Sequence, residues 1–284
     1  MTGAGMDFSI LQYHFMQNAL LAGLFGGITC SVVGVFVVTM HLSFIGVCIA
    51  HAAFAGALLG LLLGFNPLIG ALLFSLASAA IIGPMADRGE LNPDTSIGII
   101  FSLMLGLAFL FMGLMHGART EALNLFWGSI LTVTQQDLIF LAAVTGVIAG
   151  LVAVFYKEIQ AVICHREIAL AVGIPATVVF YGLLFSTGVT ITASLQSIGG
   201  LLIYCLILNP AAAAYQLTYS LKKMLFIAAV FGVVSCWAGL IASYLLDIPS
   251  GASIVITSSI IFGLATAFSP KRKVKGWQQI PLAG

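Results

Sequence analysis

Long apolar runs separated by short polar loops account for most of this 284-residue chain. A helix needs about 20 apolar residues to cross the hydrocarbon core of a bilayer, and nine runs approach that length. They cover residues 17–40, 46–65, 67–84, 97–115, 138–156, 174–193, 198–219, 224–246 and 252–268. The total falls to eight if one of these runs is a pair of half-spans. The pattern therefore predicts an all-α, polytopic integral membrane protein with eight or nine transmembrane helices.

Composition supports this fold class and excludes a soluble enzyme with a buried core. Apolar residues make up 61% of the chain and charged residues 7%, against about 25% charged residues in a typical soluble domain. None of the 10 Lys and Arg residues or the 9 Asp and Glu residues lies inside a predicted span. Residues 1–18 contain no basic region followed by a cleavage site, so we predict no signal peptide.

Basic residues orient the predicted spans. Arg119 falls on one side of the membrane, and the other side receives Arg88, Lys157, Arg166, Lys222, Lys223, Lys271, Arg272, Lys273 and Lys275. The positive-inside rule then predicts an extracytoplasmic N-terminus and a cytoplasmic C-terminus. This orientation requires that residues 122–136 do not cross, and Trp127 suits an interfacial or re-entrant position. The predicted parts are an extracytoplasmic segment (1–16), one transmembrane domain (17–268) and a basic cytoplasmic tail (269–284).

The sequence lacks the groups by which a transporter would energise itself. It contains no GxxxxGK[ST] loop for ATP, and no carboxylate lies within the predicted spans to hold a coupling ion. The missing carboxylates argue against a stand-alone secondary transporter and favour either a pore or a subunit driven by a separate ATPase. A short predicted helix carries Glu167, Ala169 and Gly173 in the pattern E-x-A-x-x-x-G. Its spacing fits either a solvated connecting helix or a contact with a separate ATPase.

His51 lies deep within a predicted span, where an ionisable group is costly and usually functional. Cys48 precedes it by three residues, so both side chains share one face of the predicted helix. As metal ligands, a thiol and an imidazole suit zinc or copper better than manganese, which prefers oxygen ligands. The alternative for His51 is a neutral ring bonded to a neighbouring carbonyl, and for Cys48 it is a small buried hydrophobe.

Glycines repeat at a spacing of four along several predicted spans. The longest series is Gly56, Gly60 and Gly64, and the same spacing recurs at Gly23 and Gly27 and at Gly146 and Gly150. This spacing lets the backbones of two helices approach each other closely. We therefore predict that Gly56, Gly60 and Gly64 mark a helix-packing face.

Six stretches of the sequence, taken in order, resemble the permeases of zinc, manganese and iron importers in the ATP-binding-cassette superfamily, called the ABC-3 family. The stretches are residues 42–60 (LSFIGVCIAHAAFAGALLG), 92–110, 126–138 (FWGSILTVTQQDL), 166–175 (REIALAVGIP), 196–214 and 239–256 (GLIASYLLDIPSGASIVI). The resemblance extends from about residue 21 to residue 268. It identifies the transmembrane domain as a permease.

The resemblance implies a permease that catalyses no step itself, binds no permanent cofactor and binds no nucleic acid. Two permease subunits, expected to be identical, would enclose a pathway for a divalent transition metal ion, with zinc or manganese first and iron next. A cytoplasmic ATP-binding subunit would drive transport, and an extracytoplasmic metal-binding protein would deliver the ion. Glu167, Ala169 and Gly173 would then belong to a cytoplasmic coupling helix that contacts the ATPase. The expected location is the plasma (inner) membrane of a bacterium or archaeon.

One position departs from the family pattern. Members carry Asp-x-x-x-His in the second span, and alignment places the histidine at His51 and the aspartate at Val47. Without that carboxylate, a site built from His51 needs another donor or only transient contact with the ion. Two other functions are alternatives to a metal-ion importer. One is a permease of a siderophore or cobalamin importer, whose chains are usually longer with one more span. The other is a stand-alone secondary transporter or channel.

Overall fold

The protein forms an all-α bundle, as the hydrophobic pattern predicts. The computed structural model describes residues 13–87, 93–115 and 130–271, and within these ranges it has α-helices and one 3₁₀ turn (Ile130–Thr132) but no strand. The helices are α1 (His14–Thr39), α2 (Ile45–Leu63), α3 (Pro67–Asp87), α4 (Pro93–Leu114), α5 (Gln135–Val154), α6 (Tyr156–Cys164), α7 (Arg166–Ala171), α8 (Ala176–Ile198), α9 (Gly200–Leu217), α10 (Leu221–Leu246) and α11 (Ser250–Ala267). Several parts of the orientation prediction lie outside the described residues: residues 1–12, Arg88, Arg119, Trp127, Arg272, Lys273 and Lys275.

Nine of the described helices correspond to the nine predicted spans. Eight of them are long and apolar enough to cross a membrane, and the ninth, α9, has a shorter apolar stretch at Leu202–Leu217. With 18 residues, α9 measures about 27 Å, close to the ~30 Å hydrocarbon thickness. The prediction of eight or nine transmembrane helices is therefore confirmed, and α9 is the marginal span.

Helices α8 and α9 meet inside the bundle rather than at its surface. Gly199 alone separates them, and Ile198 packs against Gly26 at the midpoint of α1. The helix α8 therefore continues to Ile198 instead of ending at residue 193. The Gly199 N–H donates to the Leu195 carbonyl (3.1 Å), and the Gly199 carbonyl accepts from the Ile203 N–H (3.2 Å). These backbone groups are thus satisfied, as a hydrocarbon environment requires.

The central helix of the bundle is α1, which contacts α5, α8, α9 and α10. Hydroxyl groups cross two of these contacts. Thr29 forms a hydrogen bond with Thr145 of α5 (2.6 Å), and Ser31 donates to the Leu206 carbonyl of α9 (3.4 Å). The outer faces of α4, α5 and α11 instead carry exposed apolar side chains, as expected for helices in contact with lipid.

Glycines bring helix backbones into direct contact at three crossings that involve α1 or α2. The contacts are Gly27 with Gly232 (α1 and α10), Gly34 with Ile207 (α1 and α9), and Gly56 with Gly70 (α2 and α3). A Cβ atom on the glycine at any of these contacts would overlap the backbone of the opposing helix. Gly60 continues the α2–α3 contact, because it lies beside Pro67. Two members of the predicted packing face, Gly56 and Gly60, therefore lie at a close helix crossing.

Gly64 has a different role from the predicted one. It ends α2 with a φ of 75° and open space around the position of a Cβ, and its N–H donates to the Gly60 carbonyl. Glycine adopts this left-handed conformation without strain, which explains the residue by helix termination rather than by packing. Gly146 and Gly150 also have open space around them, so their spacing of four marks an outward face of α5.

The described basic residues gather at one end of the bundle, which we call the basic end. It carries Lys157, Arg166, Lys222, Lys223 and Lys271. The hydrophobic cluster that contains Tyr156, Tyr215 and Leu221 joins the start of α6, the end of α9 and the start of α10 at this end. The Lys271 Nζ lies 3.7 Å from the centroid of the Tyr215 ring, so the chain after α11 returns to the same end.

We expect Gly56→Ala to destabilise the bundle, because a Cβ at this position would overlap the Gly70 carbonyl. Overpacking of this kind costs about 1–3 kcal/mol, which should lower the thermal unfolding midpoint by about 2–10 °C in detergent. Gly146→Ala is the matched control, because it adds the same methyl group to open space. Equal midpoints for the two variants would contradict the packing role of Gly56.

Candidate functional site

His51 occupies one of the few partly open positions of α2. Between residues 45 and 58, every position of α2 except Val47 and His51 is buried. These two residues are one helical turn apart and therefore face the same direction. Phe101 of α4 covers one side of the imidazole, with ring centroids 4.9 Å apart and an edge-on angle of 79°. The position pair predicted from the family pattern is thus accessible on a stretch of α2, residues 45–58, that is otherwise buried.

The His51 ring is held by the backbone of its own helix. Its Nδ1 lies 2.9 Å from the Val47 carbonyl oxygen, which can only accept, so Nδ1 carries the hydrogen. In a neutral ring the lone pair then lies on Nε2. Metal-ligating histidines commonly donate their second N–H to a carbonyl in this way. The geometry is therefore compatible with both interpretations of His51, a ring bonded to a carbonyl and a metal ligand.

Cys48 does not share the partly open side of α2 with His51. Its side chain is 0% exposed and packs in the main hydrophobic core with Ile45 and Ile49. Among the described residues, no group of three or more His, Cys, Asp and Glu side chains could hold a metal ion. The described part of a single chain thus contains no preformed metal site of the usual kind, and Cys48 as a ligand stays a prediction.

A tyrosine of α9 lies beside the start of α2. The Tyr204 ring packs against Gly46, the residue before Val47, and the tyrosine is partly exposed. Farther along α9, the Asn209 Nδ2 donates to the hydroxyls of Ser258 and Ser259 on α11 (3.0 and 3.1 Å). Sequence reasoning missed Tyr204, since nothing in the spacing shows that α9 crosses the start of α2.

The predicted coupling segment forms two short helices, α6 and α7, at the basic end. After α7 the Gly173 N–H donates to the Leu170 carbonyl (3.1 Å), and the Ile174 N–H donates to the Ala169 carbonyl (2.9 Å). These two bonds form a Schellman motif, in which the glycine adopts a left-handed conformation. Gly173 has a φ of 85° and open space around a Cβ. It therefore turns the chain sharply from α7 towards α8.

Within the E-x-A-x-x-x-G pattern, the structure separates the residues by exposure. Glu167 is exposed, but Ala169 is only 2% exposed and packs with Val162 of α6 and Ala176 of α8. Ala169 therefore packs within the chain, and the contact with the ATPase that the family resemblance implies for it stays a prediction. Its small side chain instead lets α7 lie against α6 and α8.

Three apolar side chains around α7 are exposed at the basic end, and we call them the α7 patch. They are Ile168 (59% exposed), Leu170 (49%) and Val172 (68%). Sequence reasoning missed them, although a signal was present. A helix of six residues buries only one narrow face, which Ala169 occupies, so the apolar side chains on either side of that face remain exposed. Exposed apolar patches of this kind mark contact surfaces.

Comparisons with known proteins agree over nearly the whole chain. A family model described as the ABC 3 transport family matches residues 12–269. The chain is similar to the manganese transport system membrane proteins MntC of Halalkalibacterium halodurans (32% identical, covering 93% of this chain and 91% of the relative) and Listeria monocytogenes (33%, covering 93% and 94%). It is also similar to the solved structure of PsaBC from Streptococcus pneumoniae in complex with Fab, with a TM-score of 0.84, 30% identity, and coverage of 95% of this chain and 97% of that one. This chain therefore belongs to the ABC 3 transport family.

Proposed function

We propose that this chain imports manganese as the membrane-spanning permease of an ATP-driven metal transporter. The chain is a transport subunit of the ABC 3 family with multiple apolar membrane helices. The observation that carries the manganese assignment is the similarity, along 93% of the chain, to relatives named manganese transport system membrane proteins. Zinc receives no comparable support from these relatives.

In this proposal the subunit works with three kinds of partner in the plasma membrane. A second copy of the chain completes the pathway, a cytoplasmic ATP-binding subunit supplies the energy, and an extracytoplasmic metal-binding protein delivers the ion. The absence of a Walker A loop from the sequence supports a separate ATPase. The α7 patch offers that ATPase an apolar contact surface at the basic end. By the positive-inside rule the basic end faces the cytoplasm.

His51 is the proposed point of contact with the ion. Among the described spans, no other histidine or charged side chain lies more than one turn from a helix end. One imidazole per subunit would hold the ion weakly, which suits a pathway that must release its cargo. Manganese prefers oxygen ligands, and Tyr204 supplies a hydroxyl group on the helix that crosses the start of α2. In this proposal the pathway alternates between a conformation open to the outside and one open to the cytoplasm, and ATP binding shifts the balance between them.

Manganese uptake by His51→Ala tests this function. In proteoliposomes that contain the permease, its ATPase and its metal-binding protein, we expect the initial rate of manganese uptake to fall about tenfold or more, because the pathway loses its nitrogen donor. His14→Ala is the matched control, since it removes an exposed histidine from the first turn of α1. Zinc and iron should be measured in parallel. Unchanged uptake of all three ions by His51→Ala would remove this residue from the pathway.

Restoring the family carboxylate should strengthen manganese binding. Val47→Asp places an oxygen donor one turn from His51 on the same partly open side of α2. We expect manganese to bind the purified permease about tenfold more tightly, a gain of about 1.4 kcal/mol, as measured by electron paramagnetic resonance of free Mn²⁺. Leu59→Asp adds a carboxylate to the same helix two turns away and should not produce this gain. Identical affinities for the two variants would argue against a site at residues 47 and 51.

A charge in the α7 patch should separate the permease from its ATPase. Leu170→Asp puts a carboxylate into an apolar contact, so we expect the ATPase to be lost from the complex during affinity purification in detergent. Gln160→Asp introduces the same group at an exposed position of α6 and serves as the control. If Leu170→Asp retains its ATPase as well as the control does, the patch is not the contact surface.

A further inference from the structure

A cavity of about 380 Å³ lies between α1, α5, α6 and α8, away from His51 and from the α7 patch. Its walls are almost entirely apolar and include Phe36 of α1, Val152 of α5, and Val179 and Leu183 of α8. The volume falls within the range of about 300–1,000 Å³ that is typical of ligand pockets. Nothing in the proposed metal pathway uses this space.

The cavity opens towards the lipid rather than towards water. Leu151, Phe155 and Val178 line it and are also exposed on the outer surface of the bundle, at 43%, 47% and 69%. All three side chains are apolar and belong to α5, α8 or the turn that follows α5. A molecule that enters the cavity therefore arrives from the bilayer, and the part that fills it must be hydrocarbon.

One end of the cavity carries a carboxylate. Glu158 lines it from the first turn of α6, at the basic end. Its Oε2 atom is buried and has no hydrogen-bond partner among the residues that the structure describes. Burying a carboxylate oxygen without a hydrogen-bond donor costs free energy, and a positively charged donor offsets this cost most effectively.

The cavity therefore combines a hydrocarbon slot with an anionic end at the level where α5 leaves the membrane. A complementary ligand has a chain that fills the slot and, at its head, a cation that can donate a hydrogen bond. We propose that this cavity binds phosphatidylethanolamine, with one acyl chain between α5 and α8 and the primary ammonium group donating to Glu158 Oε2. Phosphatidylcholine presents the same charge but has no N–H to donate, and phosphatidylglycerol presents no cation.

The bound lipid would support the coupling segment from the membrane side. Ile159, the neighbour of Glu158, lines the same cavity and packs in a buried cluster with Phe36 and Leu183. An acyl chain at this position fills the space beneath α6, the helix that leads into α7. The site does not depend on which metal the chain carries, so it can be tested without a transport assay.

Native mass spectrometry of the full chain, delipidated in detergent and titrated with palmitoyl-oleoyl lipids, tests the proposal. We expect one phosphatidylethanolamine to bind per chain at about tenfold lower lipid concentration than phosphatidylcholine or phosphatidylglycerol, the difference expected for a charged hydrogen bond. Glu158→Gln should remove this preference. Gly182→Phe should abolish binding of phosphatidylethanolamine and phosphatidylcholine at the site, because residue 182 lines the cavity and a side chain there meets only open space.

Gly150→Phe is the matched control, because it adds the same ring to open space on α5 outside the cavity and should bind lipid as the wild type does. If Gly182→Phe does not fold, Gly182→Leu and the Glu158→Gln comparison decide the question. Equal binding of the three lipids by the wild type overturns the proposal. So does a phosphatidylethanolamine preference that survives Glu158→Gln, or tighter binding of phosphatidylglycerol.

Discussion

Close approach of helix backbones is the interaction on which this bundle depends. Lipid chains are as apolar as leucine, so packing and polar contacts must hold membrane helices together without a hydrophobic driving force. Gly27 and Gly34 place α1 in direct backbone contact with α10 and α9. The position of α9 in turn brings Tyr204 beside Gly46 at the start of α2. The neighbours of the start of α2 therefore depend in part on contacts between small residues of other helices.

Much of the fold could be predicted from hydropathy, because hydrocarbon restricts a spanning chain to helices of nearly fixed length. The break between α8 and α9 was predicted only approximately. The hydrophobic pattern ends one run at residue 193, but α8 continues to Ile198, and the positive φ of Gly199 could not be read from the pattern. The same limit applies to Gly64. Glycines four residues apart occur both on helix-packing faces and at helix ends, and only the surrounding helices in the structure distinguish the two.

At the candidate site, sequence reasoning located His51 because a single ionisable group stands out in an apolar span. It could not separate Cys48 from His51, since residues three apart share a helix face in general while their exposure depends on neighbouring helices. Ala169 shows the same difficulty in the coupling segment. A residue in a family pattern can be retained for contact with a partner or for packing within the chain, and the burial of Ala169 against Val162 indicates packing.

The short connection between α7 and α8 has a mechanical consequence. The hydrogen bonds at Gly173 and Ile174 hold the short connection between α7 and α8 in one conformation, and Ala169 packs against Ala176, the first residue of α8. With 23 residues, α8 is a rod of about 34 Å whose far end is the break at Gly199, beside the midpoint of α1. A displacement of α7 would therefore be transmitted along the axis of α8 to the break at Gly199 in the interior of the bundle.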